Sequence, residues 1–106
     1  MCGLSCRALL IASHIVPWAA HPDLRLDPRN GLCLCALHDK AFDRGFVSVG
    51  ADFCIMIAER ICDEEPRNVV EPRFVALRGQ PLRLPEKFRP SPVHIELHRT
   101  TVFDGR

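Results

Sequence analysis

Residues 30–45 constrain the fold more than any other part of this chain. Asn30-Gly31 opens the stretch, and both residues tolerate positive φ, so the pair reads as a tight turn. The apolar run at residues 32–37 is short and turn-bounded, which suits a buried strand. From His38 the pattern changes to one or two turns of helix, with Asp39 as a first-turn acid that suits the macrodipole. Helical spacing then puts Asp39 and Asp43 on one face. Two carboxylates held together beside a histidine can bind a divalent cation.

The partner of this stretch lies upstream, in Ala12-Ser13-His14-Ile15-Val16-Pro17-Trp18. A hairpin closing at Asn30-Gly31 lays the strand around His14 beside residues 32–35, and the helix packs across it. Pro17 ends any helix begun at Leu9, Trp18 covers the hairpin from one side, and residues 21–28 form a proline-bounded surface loop. Downstream, residues 46–49 and 53–57 read as two strands joined by a turn at Gly50-Ala51-Asp52, with Cys54 as core filling. Residues 63–68 form a charged linker. The prolines at 72, 81, 85, 90 and 92 then predict an extended wrap anchored by Leu77, Leu82, Leu84 and Phe88, before a last helix over 92–102.

A chain of 106 residues with a hydrophobic fraction of 47% makes one small globular domain with a modest core. The net charge of +1 sets up no global field for nucleic acid. The local pattern says more: Arg25, Arg29, Lys40 and Arg44 flank the central stretch, and a basic rim around an acidic metal site suits a phosphodiester. No apolar run is long enough for a membrane span. The opening Met-Cys-Gly-Leu-Ser-Cys lacks the basic region of an export signal, so the six cysteines read as reduced thiols of a cytoplasmic protein.

Three blocks in order, Ala-Ser-His-Ile-Val-Pro-Trp, Arg-Leu-Asp-Pro-Arg-Asn-Gly-Leu and His-Asp-Lys-Ala-Phe-Asp-Arg-Gly, give the chain its family resemblance. Over about residues 7–60 it resembles the HNH endonucleases. The resemblance implies an α+β fold: a small ββα-metal core over residues 1–62, then a proline-rich wrap and C-terminal helix over 63–106 of the same domain. It implies hydrolysis of DNA with one divalent cation, His14 as general base and Asn30 as the brace of the loop that carries it. Imidazole suits the base because it titrates near neutrality.

Where the family usually places a metal-binding histidine, this chain has Asp39. Either Asp39 and Asp43 bind the cation, or His38 binds it and Asp39 caps the helix. The carboxylate pair favours Mg²⁺ or Mn²⁺. Ser13 stands where many relatives carry a further ligand, Asp or His. Arg25, Arg29, Lys40 and Arg44 become phosphate contacts, which position rather than specify.

Cys2-Gly3 resembles the end of a Cys-x-x-Cys-Gly knuckle, which implies a first cysteine upstream of Met1. Cys2, Cys6, Cys35 and His38 then make a structural zinc set, the alternative being buried reduced thiols. His94-Ile95-Glu96-Leu97-His98 is not the zinc-protease order. The segment from His98 to Phe103 matches a packing segment of the same group, with Phe103 buried and His98 bonded to the core. DNA is the implied partner, with no membrane, and specificity comes from a homodimer or partner subunit. The rival reading is a degenerate HNH module that binds nucleic acid or a partner without cutting.

Overall fold

The computed structural model describes residues 1–16, 23 and 26–106. Pro17 as a helix breaker, Trp18 as a cover, part of the loop at residues 21–28, and Arg25 as a phosphate contact all lie outside the described residues. Strand β1 (Leu10–His14) pairs antiparallel with β2 (Gly31–Cys35), running from Leu10 opposite Cys35 to His14 opposite Gly31. Helix α1 (Ala36–Asp43) follows β2 without a break and packs on both strands. This is the ββα arrangement. A second hairpin, β3 (Val47–Val49) with β4 (Ile55–Ile57), lies beyond it, followed by α2 (Glu59–Cys62), α3 (Arg67–Arg73) and α4 (Pro92–Thr101). The fold is α+β, with two small antiparallel sheets. Among the described residues, no helix is long and apolar enough to cross a membrane.

The core gathers Ile15, Leu32, Leu34, Phe42, Val47, Val49, Ile55, Ile57 and Ile95 between the two hairpins and α4. All three residues of β3 are buried, because α1 and α4 both pack against it. The outer edge of β4 is covered by the chain at 79–82: Ile55 N–H donates to Gln80 O, and Gly79 N–H donates to Ile55 O. An exposed strand edge is thereby avoided. Gly45 turns the chain from α1 into β3 at φ +80, and a Cβ there would collide with the carbonyl oxygen of Val102. Only glycine meets both demands.

Four expectations are corrected. Asn30-Gly31 is not a positive-φ turn: Asn30 ends a 3₁₀ turn (Pro28–Asn30) started by Asp27, whose carboxylate accepts Arg29 N–H, and Gly31 enters β2 at φ −125. The apolar run leaves the strand at Cys35 rather than Leu37. Pairing with β1 stops at Leu10, so Ala36 and Leu37 have no strand partner and become the first turn of α1. The linker and the first part of the wrap contain α3, where Val70 and Phe74 dock as an apolar i, i+4 pair and Pro72 sits in the last turn. Phe88, expected to anchor the wrap, is 62% exposed.

Candidate active site and metal centre

His14 ends β1, half-buried, opposite a glycine that leaves its side chain room. The chain after it is fixed by Asn30, which is fully buried. Ile15 N–H donates to Asn30 O at 2.9 Å. Val16 N–H donates to Asn30 Oδ1 at 2.8 Å, and Asn30 Nδ2 donates to Val16 O at 3.0 Å. A carboxamide is the group that can accept and donate in this paired way, as a peptide does. Buried backbone groups of an irregular segment are thus satisfied without a strand partner. Replacing Asn30 by alanine strands two buried Val16 groups and is expected to cost about 2–4 kcal/mol, read as a lowered urea midpoint.

Asp39 and Asp43 sit on α1 one turn apart, Asp39 half-buried and Asp43 exposed. Partial burial pushes the Asp43 carboxyl above its ordinary range, and the Asp39 carboxylate adds to the shift; Lys40, Arg44 and His14 work against it. The base candidate and both carboxylates therefore lie within electrostatic reach of one another. Ser13, next to His14, is buried with a hydroxyl that has no hydrogen-bond partner among the described residues. Two carboxylates one turn apart on α1 are oxygen donors of the kind a hard cation takes. Arg29, Lys40 and Arg44 are exposed, and the charges of Lys40 and Arg44 reach Asp43. Arg29's carbonyl accepts Ser91 N–H at 3.0 Å, which ties the entrance of α4 to the residue before Asn30.

A second group lies at the other end of β2. His38 is buried, with Nε2 2.8 Å from the carbonyl of Arg73 and Nδ1 3.1 Å from Cys35 Sγ. A carbonyl only accepts, so Nε2 carries the proton and the Nδ1 lone pair faces the thiol. Burial pulls the His38 pKa down, only partly offset by the Arg73 bond, which favours the neutral form a metal requires. Cys2 Sγ is 3.6 Å from Cys35 Sγ, close to the ~3.8 Å that two thiolates span on a tetrahedral zinc. The donor atoms of Cys2, Cys35 and His38 all lie within 4.8 Å of one another. Cys6, expected as a fourth member, is exposed and outside this group; its carbonyl accepts Leu9 N–H as the chain turns into β1. Engaged in this way, His38 belongs with the cysteines rather than with the carboxylate pair. Arg73 carried no sequence signal, because it acts through a backbone carbonyl.

Residues 1–50 match the sequence model of a family described as HNH endonuclease. This segment is an HNH-family domain. The HNH segment contains His14, Asn30, Asp39 and Asp43 as well as Cys2, Cys35 and His38, so both groups lie inside the matched region. No curated protein matches the chain. The HNH family points to nucleic acid as the class of substrate.

Proposed function

We propose that this HNH domain is a DNA endonuclease in which His14 is the general base and Asp39 and Asp43 hold a divalent cation, Mg²⁺ or Mn²⁺. The observation that carries the reading is the clamp of Asn30 on Val16, which fixes the chain leaving His14 beside the acid pair. His14 takes the proton from the attacking water. Asn30 holds the base in place and touches no substrate. Arg29, Lys40 and Arg44 draw the phosphate backbone against the site. A cation bound at the carboxylates supplies charge that neutralises the phosphate and the departing 3′ oxygen. The experiment is nicking of supercoiled plasmid in Mg²⁺ or Mn²⁺, with and without EDTA. Metal-dependent nicking supports the enzyme; its failure in folded, metal-loaded protein leaves a module that binds without cutting.

Cys2, Cys35 and His38 are the second half of the proposal, as a structural zinc site. Thiolate and imidazole select zinc over the hard cation of the carboxylate pair. One equivalent of zinc is expected to bind and to protect thiols from a chromogenic thiol reagent. Cys35→Ser or His38→Ala should release it, while Asp39→Asn should not. Zinc retained by both cysteine-group variants would reject this site.

A further inference from the structure

Phe88 is the residue that folding does not explain. It sits at φ 54, in the left-handed region that side chains rarely adopt, yet it is 62% exposed. Phe53 has a similar φ of 61, but Phe53 packs against the core, and its amide closes the β3–β4 turn on Gly50 O. Packing offsets the strain at Phe53; among the described residues, nothing comparable does so at Phe88. Strain held without a packing return marks a residue whose use lies outside the fold.

The setting gives that use. Residues 85–89 are all exposed, and buried Leu82 and Pro90 fix the segment on either side. The loop closes on itself through Arg89 Nε, which donates to Pro85 O at 3.3 Å. Phe88 is flanked directly by Lys87 and Arg89, and exposed Arg83 precedes them, with Glu86 the single acid among residues 83–89. The loop also ends at the candidate site. Ser91 N–H bonds to the carbonyl of Arg29, the residue before the Asn30 clamp. Phe88 lies three positions before Ser91, so its Cα is confined to within roughly 11 Å of the Cα of that attachment.

From this we infer that the loop at 85–89 grips DNA beside the cleavage site: Phe88 stacks on or wedges against a base while Lys87 and Arg89 take the flanking phosphates. An aromatic ring between two cations matches the alternation of base faces and phosphates along a strand. An acidic protein would meet the cations but does not repeat aromatic faces between anions at the spacing of a nucleic-acid strand. The inference rests on the nuclease reading for its choice of DNA, and its test separates the two.

Binding of a fluorescent DNA duplex, and of its single strand, is measured by anisotropy in EDTA, where cleavage is silent. Phe88→Gly relieves the left-handed backbone, so its thermal midpoint should equal or exceed that of the native chain. Its affinity should nevertheless fall about fivefold or more. Phe88→Trp should retain binding, and Lys87→Ala and Arg89→Ala should each lower the salt slope by about one. Loss on the single strand alone means stacking, and loss on the duplex means a groove wedge; either supports the inference. Unchanged affinity of Phe88→Gly on both DNAs overturns it, as does loss of binding to phosphatidylserine vesicles with DNA binding intact. Nicking by the native chain with an unchanged KM in Phe88→Gly rejects the loop and keeps the nuclease. Phe88-dependent binding without nicking does the reverse.

Discussion

His14→Ala is expected to lower metal-dependent nicking by about 10²–10⁴-fold, the range over which a positioned proton acceptor contributes. The fold should barely register the change. His14 is half-buried at a strand end, and its cross-strand neighbour is Gly31, so removing the ring opens no hole among the core residues. Asn30→Ala is the informative contrast, because it removes two buried hydrogen bonds and should lose both stability and activity. A base and a brace are thus distinguished by the ratio of two effects, not by loss of activity alone. Added imidazole should restore part of the activity of His14→Ala, since a diffusible base can enter the space left by the ring. It should do nothing for Asn30→Ala. Full nicking by His14→Ala, or equal stability losses in the two variants, would reject the assignment.

The order of elements around the site was legible because it depends on local signals. The apolar run before His38, the acids one turn apart and a hairpin pairing with the stretch around His14 place β1, β2 and α1 in sequence order. The point where β2 becomes α1 was not legible. Ala36 and Leu37 are as apolar as the strand, and only the end of β1 at Leu10 shows that no partner remains for them. Pro72 concealed α3 for a similar reason. Proline argues against a helix because Pro72 offers no N–H to the carbonyl of Asn68, yet burial of Val70 and Phe74 outweighs that loss. The cysteine set was legible in part: Cys35 and His38 are spaced locally, whereas Cys2 joins through folding and Cys6 turns away. Phe88 misled most, since an aromatic in a proline-rich segment reads as an anchor. Its exposure follows from a loop whose flanks, not its tip, are buried.

Lowering the pH should destabilise the fold through His98, with a contribution of about 3 kcal/mol lost between pH 6.5 and pH 4. His98 lies on α4, buried, its ring stacked on Phe42 with centroids 3.6 Å apart. Nε2 donates to Phe42 O at 3.0 Å, so Nδ1 is the acceptor for the Ser48 hydroxyl at 2.7 Å. Acceptance at Nδ1 requires the neutral ring, whereas the Phe42 bond favours the charged one; burial outweighs it and brings the pKa down from 6.5 to about 4. The unfolded chain takes up this proton near pH 6.5, while the native state resists until about pH 4. The contribution is therefore intact above pH 6.5, falls by roughly 1.4 kcal/mol per unit through the window, and is level below it. His98→Gln cannot titrate, so its urea-unfolding stability should fall less steeply from pH 6.5 to 4, even though the variant starts lower. Carboxylates protonate in both proteins, and the difference in slope isolates the histidine. The same bond reaches the site, because Phe42 precedes Asp43 and its carbonyl is what α4 holds through His98. A loosened α1 should then demand more Mg²⁺ for half-maximal nicking in His98→Gln, at a pH where the variant is still folded. Parallel pH profiles for the two proteins would mean that His98 titrates alike in the folded and unfolded chains, which would reject burial as the force that holds the ring neutral.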